Sequence, residues 1–123
     1  MTPSSKPRLD VGSFLPLPPI VFHMLLALSE GERHGYALKR EMARETGGKL
    51  DPGPGVLYST IARLLDQGLI EESDQRPERH LDDERRRYYR ITALGSRIAQ
   101  AEAERMRQLV RRAEGVLPLP GRA

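Results

Sequence analysis

The sequence predicts a mainly α-helical domain carrying one two-stranded β-hairpin, in the order helix, helix, helix, strand, strand, helix. Three observations predict it. Apolar residues recur at helical spacing in three stretches before Gln67, each stretch closed by glycine. Two short β-favouring runs follow, Leu69 to Glu72 and Arg85 to Ile91, with a charged polar loop between them. A long charged stretch with an irregular apolar stripe then runs from Thr92 to about Glu114. A short amphipathic helix followed by a hairpin with a basic edge is suited to reading a duplex, the helix in a major groove and the ribbon against a neighbouring phosphate. That order is the order of a winged helix-turn-helix with one further helix appended.

Composition sets the bounds. At 123 residues the chain is one domain with an appended helix or tail. Hydrophobic residues make up 38% and charged residues 30%, a balance that suits a small domain completing its burial against a second copy of itself. The net charge of +3, with a sequence pI of about 9.6, permits binding to phosphate backbones without establishing it. The absence of cysteine excludes disulfides, thiolate metal sites and a cysteine nucleophile. No run approaches the roughly 20 apolar residues that span a bilayer, and no signal-peptide pattern opens the chain. The expectation is a cytoplasmic protein with no membrane partner.

Residues 1–16, rich in Ser, Pro and Lys, read as a flexible lead-in. The winged-helix domain is expected over residues 17–92. Pro18 and Pro19 suit the first turn of a helix, where their missing N–H groups cost nothing. Ile20, Val21, Met24, Leu25 and Leu28 follow as its buried face, and Gly31 ends it. A second helix runs from about Gly35 to Thr46, with Leu38 and Met42 inward and Lys39, Arg40 and Arg44 outward, ended by Gly47 and Gly48. A third begins near Pro54. Its stripe of Leu57, Ile61, Leu64 and Leu65 leaves Gly55, Tyr58, Ser59, Ala62 and Arg63 on the other side. Gly68 closes it, and the hairpin follows, with Ser73 to Glu84 as its loop.

Thr92 is a sound N-cap for the last helix, residues 93–114. Leu94, Ile98, Ala101, Met106, Leu109 and Ala113 form its stripe. A small domain has little core left to cover that stripe, so these residues are the expected homodimer contacts. Residues 115–123 read as a loose tail.

Two signals carry function. Small residues at Gly55, Ser59 and Ala62 let the third helix lie close to base edges, while Tyr58, Ser59 and Arg63 can bond to bases or phosphates. The plain alternative is an ordinary surface helix. Arg85, Arg86, Arg87 and Arg90 form the basic strand, with Lys49 as a further cation before the third helix. Here the alternative is an edge strand charged against unwanted pairing. The loop opposes a phosphate contact, since Asp74, Glu78, Asp82, Asp83 and Glu84 outnumber Arg76 and Arg79. His23, His34 and His80 are too scattered for a metal site, the glycine-rich loop lacks the ending of a phosphate-binding loop, and no catalytic set can be assembled. No cofactor or metal is expected.

Four motifs, His34-Gly35-Tyr36, Pro54-Gly55-Val56-Leu57-Tyr58, Gly68-Leu69-Ile70 and Arg87-Tyr88-Tyr89-Arg90-Ile91-Thr92, together resemble PadR-like transcriptional regulators from about Leu17 to Ala113. The resemblance implies a winged-helix domain, a C-terminal dimerisation helix, and dimers on pseudo-palindromic operators, usually as repressors. It also implies that Tyr58 and its neighbours face DNA, that the hairpin is the wing, and that His34, Gly35 and Tyr36 are structural. Two departures stand out. Ser59 follows the tyrosine where the family often has proline, and the last helix holds no aromatic residue for sandwiching flat hydrophobic drugs, as some relatives do at the dimer centre. The expected function is a homodimeric, sequence-specific DNA-binding repressor contacting DNA through Lys49, Gly55, Tyr58, Ser59, Arg63, Arg85 and Arg87, with release by a small-molecule effector left open. The rival is a winged helix used for protein contact; an enzyme is the least supported reading.

Overall fold

The computed structural model describes residues 10–73 and 87–121. A 3-10 turn over Val11–Phe14 opens the described chain, where the sequence reads as a loose lead-in. Asp10 caps that turn through the Gly12 N–H, 3.0 Å away, and the turn packs against the last helix. The elements that follow are α1 (Pro19–Ser29), β1 (Arg33–His34), α2 (Gly35–Glu45), α3 (Pro54–Asp66), β2 (Ile70–Ser73), β3 (Tyr88–Ile91) and α4 (Ala93–Val116).

Four helices and two hairpin strands stand close to where the sequence places them, with Ser73 in β2 and not in the loop, and with the expected loop and strand residues 74–86 outside the described residues. The sheet has a third member. Arg33 and His34 pair antiparallel with Tyr89 and Tyr88, giving the strand order β1-β3-β2. Two residues cannot display an alternating pattern, so β1 has no legible sequence signature. The hairpin register sets Ile70 opposite Ile91, Glu71 opposite Arg90, Glu72 opposite Tyr89 and Ser73 opposite Tyr88.

Local chemistry explains the helix ends. The His34 ring nitrogen Nδ1 accepts from the Ala37 N–H at 3.2 Å and so caps α2. At the far end, Gly47 N–H donates to Arg44 O and Gly48 N–H to Ala43 O, the paired bonds of a Schellman ending. The end of α3 repeats that pattern with Gly68 N–H on Leu65 O and Leu69 N–H on Leu64 O. Gly68 sits at φ 77°, a conformation that glycine adopts without a Cβ penalty.

The core lies between α1, α2, α3, the sheet and the first turns of α4. Met24, Leu25, Leu38, Met42, Leu57, Leu64, Leu69, Ile70 and Ile98 are fully buried there. The start of α4 is anchored at the α3–β2 turn. Thr92 N–H donates to Leu69 O at 3.1 Å, and Thr92 Oγ1 donates to Gly68 O at 2.6 Å while accepting from Gly95 N–H at 3.0 Å. A Cβ at Gly95 would lie 2.1 Å from Leu69 O, so only glycine permits this approach. Gly95→Ala is therefore expected to destabilise the fold by about 1–3 kcal/mol, the usual range for forced overpacking, as read by urea unfolding.

One charged side chain belongs to the core. Glu102 has no exposed surface. Its carboxylate accepts two bonds from Arg105, at 2.7 and 2.9 Å, and one from Leu17 N–H at 3.2 Å. Leu17 carries the last backbone N–H before Pro18 and Pro19, so α4 satisfies the donor at the mouth of α1. The Arg105 bonds, against the opposing effect of burial and aided by Leu17 N–H, hold the Glu102 carboxyl below its ordinary 4.5. A carboxyl depressed on folding contributes stability that is fully present above its unfolded pKa and lost as pH falls through the folded value. The stability advantage of the native chain over Glu102→Gln should therefore be full above about pH 5 and shrink as acid passes the depressed value. Urea unfolding of both proteins from neutral to acid pH checks this, and a difference independent of pH would contradict it.

Candidate nucleic-acid interface

Helix α3 turns one face to its own core and one to solvent. Leu57, Thr60, Ile61 and Leu64 are buried, and Gly55, Tyr58, Ser59, Ala62, Arg63 and Asp66 are exposed. The exposed set follows steps of three and four, so it is a single stripe along the helix. Two large apolar groups add to it, with Val56 56% and Tyr58 50% exposed. Both therefore present apolar surface to solvent beside the polar groups of the stripe.

Tyr58 is held in place by a small residue. A Cβ on Gly35 would lie 2.7 Å from the Tyr58 hydroxyl oxygen, so the phenol rests on the first turn of α2. The backbone contact made by Gly35 thus sets where Tyr58 points. Ser59 Oγ donates to Val56 O at 3.2 Å, and Thr60 Oγ1 donates to the same carbonyl at 2.7 Å. The Ser59 hydroxyl is consequently an acceptor toward solvent unless it gives up its helix bond. Arg63, at the far end of the stripe, has no carboxylate partner among the described residues. It borders a cavity of about 370 Å³ with Ser13, Phe14, Pro18 and Gln67.

The cations of the neighbourhood divide into paired and available. Lys49 is exposed in the α2–α3 loop, while Lys39 is bound to Asp51. Arg40 lies over the Tyr36 ring, 5.3 Å from its centre. Tyr36 is 55% exposed, so the structural role expected for it is not one of burial. Arg40 is on the outward face expected for it, and both residues sit in the helix that supports Tyr58. His34 does meet its structural expectation, capping α2 and meeting Tyr88 edge-on at 5.3 Å between ring centres.

The basic strand differs most from its sequence reading. Arg87 pairs with Glu72 at 2.9 Å and Arg90 with Glu71 at 2.7 Å, while Glu32 lies 3.9 Å from Arg90. The hairpin register sets Glu71 opposite Arg90, and Glu72, opposite Tyr89, meets Arg87 diagonally. Neighbours across strands are invisible to a count of charge along the chain. Such exposed pairs contribute about 0–1 kcal/mol, so a phosphate can still compete for Arg87. Arg85 and the acidic loop fall outside the described residues. Within the sheet, burial first and then Glu72 push the Tyr89 phenol above its ordinary 10, keeping it neutral.

Helix α4 divides at Glu102. Ile98 and Ala99 are buried in the chain's own core, and Leu94 packs against it half-buried. Leu94 and Ile98 were expected to face a second subunit; instead the first turns of α4 cover α1 and β3. Ala101 is half-buried beside them. Beyond Arg105 the stripe is open. Met106, Leu109, Val110, Val116 and Leu117 are exposed, with Ala113 between them partly covered. Glu102 went unnoticed in the sequence because it sits in a charged run, yet its place four residues after Ile98 puts it on the core-facing stripe.

The sequence profile of the transcriptional regulator PadR-like family matches residues 24–101, well over half of the chain. The chain belongs to the PadR-like family. The family is one of transcriptional regulators. Among the described residues no cluster of metal-ligating side chains occurs, and no helix is long and apolar enough to cross a membrane. An uncharacterized 37.1 kDa protein in transposon TN4556 of Streptomyces fradiae is 31% identical over 86 residues, which is 70% of this chain. The chain spans only 22% of that relative's length. A transcriptional regulator from Clostridium thermocellum superimposes with a TM-score of 0.64 at 25% identity, over 80% of this chain and 89% of that one. A PadR-like regulator from Bacillus cereus gives 0.68 at 20% identity, over 81% and 92%, and so shares the winged-helix fold.

Proposed function

We propose that this PadR-like chain is a homodimeric repressor that binds a pseudo-palindromic duplex in a sequence-specific manner. The observation that carries the reading is the solvent-facing stripe of α3, where Gly55, Tyr58, Ser59 and Arg63 stand together with no covering element. Small residues there allow close approach to base edges, and Tyr58 and Arg63 supply bonding groups at either end. Lys49 and Arg87 add attraction independent of sequence, Arg87 by exchanging Glu72 for a phosphate. Arg85 belongs to the same proposal on its sequence position alone.

Two-fold symmetry would set two such helices into successive major grooves about one helical turn apart. The distal stripe of α4, Met106, Leu109, Val110 and Ala113, is the proposed subunit contact. A small-molecule effector that releases the duplex fits this scheme, though α4 offers no aromatic pair to sandwich it.

Duplexes selected from a random pool, titrated beside unselected duplex, test the DNA reading. Arg63→Ala should cost roughly 1–3 kcal/mol on the selected site. Equal affinity of both proteins on both duplexes removes Arg63 from the interface. A native chain that binds no duplex at low salt favours instead a winged helix used for protein contact.

The dimer reading has its own test. Leu109→Glu should halve the mass measured by light scattering at micromolar concentration while leaving helicity intact, whereas Ile98→Glu should unfold the domain. A native chain that is monomeric under those conditions overturns the proposal.

A further inference from the structure

The N-terminal turn, the start of α1 and the end of α3 enclose a cavity of about 370 Å³. Its apolar wall is Phe14, Leu17, Val21 and Leu69, and Arg63 and Gln67 stand on its polar side. Leu17, Val21 and Leu69 are buried, and Phe14 is half-buried. The wall is fixed by contacts outside the cavity. Leu17 N–H is held by Glu102 at 3.2 Å, and the turn over Val11–Phe14 packs against α4. The family profile begins at residue 24, so Ser13, Phe14 and Leu17 are features of this chain outside the matched stretch.

The polar side is suited to an anion. Arg63 and Gln67 are four residues apart and therefore share one side of the helix end. Arg63 has no carboxylate partner among the described residues, and none of the described residues lining the cavity is acidic. Ser13, which also lines it, donates its hydroxyl to Asp10 O at 2.7 Å and so offers only an acceptor. The C-terminal end of a helix disfavours an anion, yet the carbonyls of Arg63, Leu64 and Leu65 already accept from the N–H groups of Gln67, Leu69 and Gly68. The guanidinium must therefore supply most of the attraction. It can hold both oxygens of a carboxylate at once.

We propose that this cavity binds a small monocarboxylate with an apolar body, its head on Arg63 and Gln67 and its body against Phe14, Leu17 and Val21. The two halves of the lining select that class. Inorganic phosphate would use the guanidinium and leave the apolar wall uncovered, and a neutral apolar molecule would cover the guanidinium without giving it a partner. The volume lies near the low end for ligand pockets, which limits the ligand to roughly ten non-hydrogen atoms. A consequence follows that rests on the duplex reading above, although the site itself does not. Arg63 is one of the groups proposed to meet DNA, and a carboxylate held there withdraws it. Ligand and duplex then weaken each other's binding by the same factor.

Calorimetric titration of the native chain with octanoate, octanol and inorganic phosphate tests the site without DNA. Octanoate should bind one per chain, and each of the other two should bind at least about tenfold more weakly. Arg63→Ala should weaken octanoate about tenfold, with Arg63→Lys in between, because lysine keeps the charge and loses the two-pronged contact. Phe14→Ala should weaken octanoate as well. Urea unfolding verifies that the variants are folded, and exposed Arg63 is replaced without disturbing the core. Octanoate that fails to bind, octanol or phosphate that binds as tightly, or an octanoate affinity unchanged by Arg63→Ala overturns the site. The duplex arm is separate. Octanoate should weaken the native chain on its selected duplex and leave Arg63→Ala unaffected. If the native chain binds octanoate and duplex independently, the competition is wrong and the site stands. A chain that takes octanoate but no duplex at low salt removes the duplex reading and keeps the site.

Discussion

The contact that the rest of the molecule depends on is the approach of α4 to the turn between α3 and β2. Leu69 O occupies the space that a side chain at Gly95 would need, and Thr92 binds both Gly68 and Leu69. Gly68 closes the turn after α3, and Gly95 lies in the first turn of α4, the helix proposed to join the subunits. The end of α3 and the start of α4 are therefore connected across a few ångströms of backbone. A shift of α4 is passed to the end of α3 with no soft side chain between them to absorb it.

Electrostatics in this protein works by local pairing more than by net charge. The +3 total says little about where a phosphate can be held. Arg87 and Arg90 are matched by the carboxylates of β2, while Arg63 and Lys49 stand open beside α3. Beside α3, Arg63 and Lys49 are thus exposed cations with no carboxylate partner among the described residues. The buried Glu102 obeys a different rule. Removed from water, it is retained because Arg105 and the Leu17 N–H bond all sides of it that the core presents. In doing so it holds the segment before α1 to α4.

Much of the fold was legible because it rests on short-range rules. The leucines of α3, the paired glycines after α2, the prolines opening α1 and Thr92 before α4 each announce an element through spacing or through a backbone requirement. The exposed stripe of α3 was legible for the same reason, since a helix with one apolar face must show its other face to water. What escaped notice needed a partner distant in the chain. Strand β1 exists only because β3 lies beside it, and Arg87 is paired only because the register sets Glu72 opposite Tyr89, two residues along from it. Ile98 and Leu109 are indistinguishable by pattern, yet one is core and the other is surface.

The sequence by itself determined the order of elements, the helix faces and the groups that α3 turns to solvent, because each follows from periodicity, capping or the freedom of glycine. Only the tertiary structure decided how those groups are used. It set Tyr58 on Gly35, paired Arg87 and Arg90 with the carboxylates of β2, drew Glu102 into the core and split α4 into a packed half and an open half. The physical reason is common to all four: burial and ion pairing depend on distances between elements, and those distances exist only after the chain has folded.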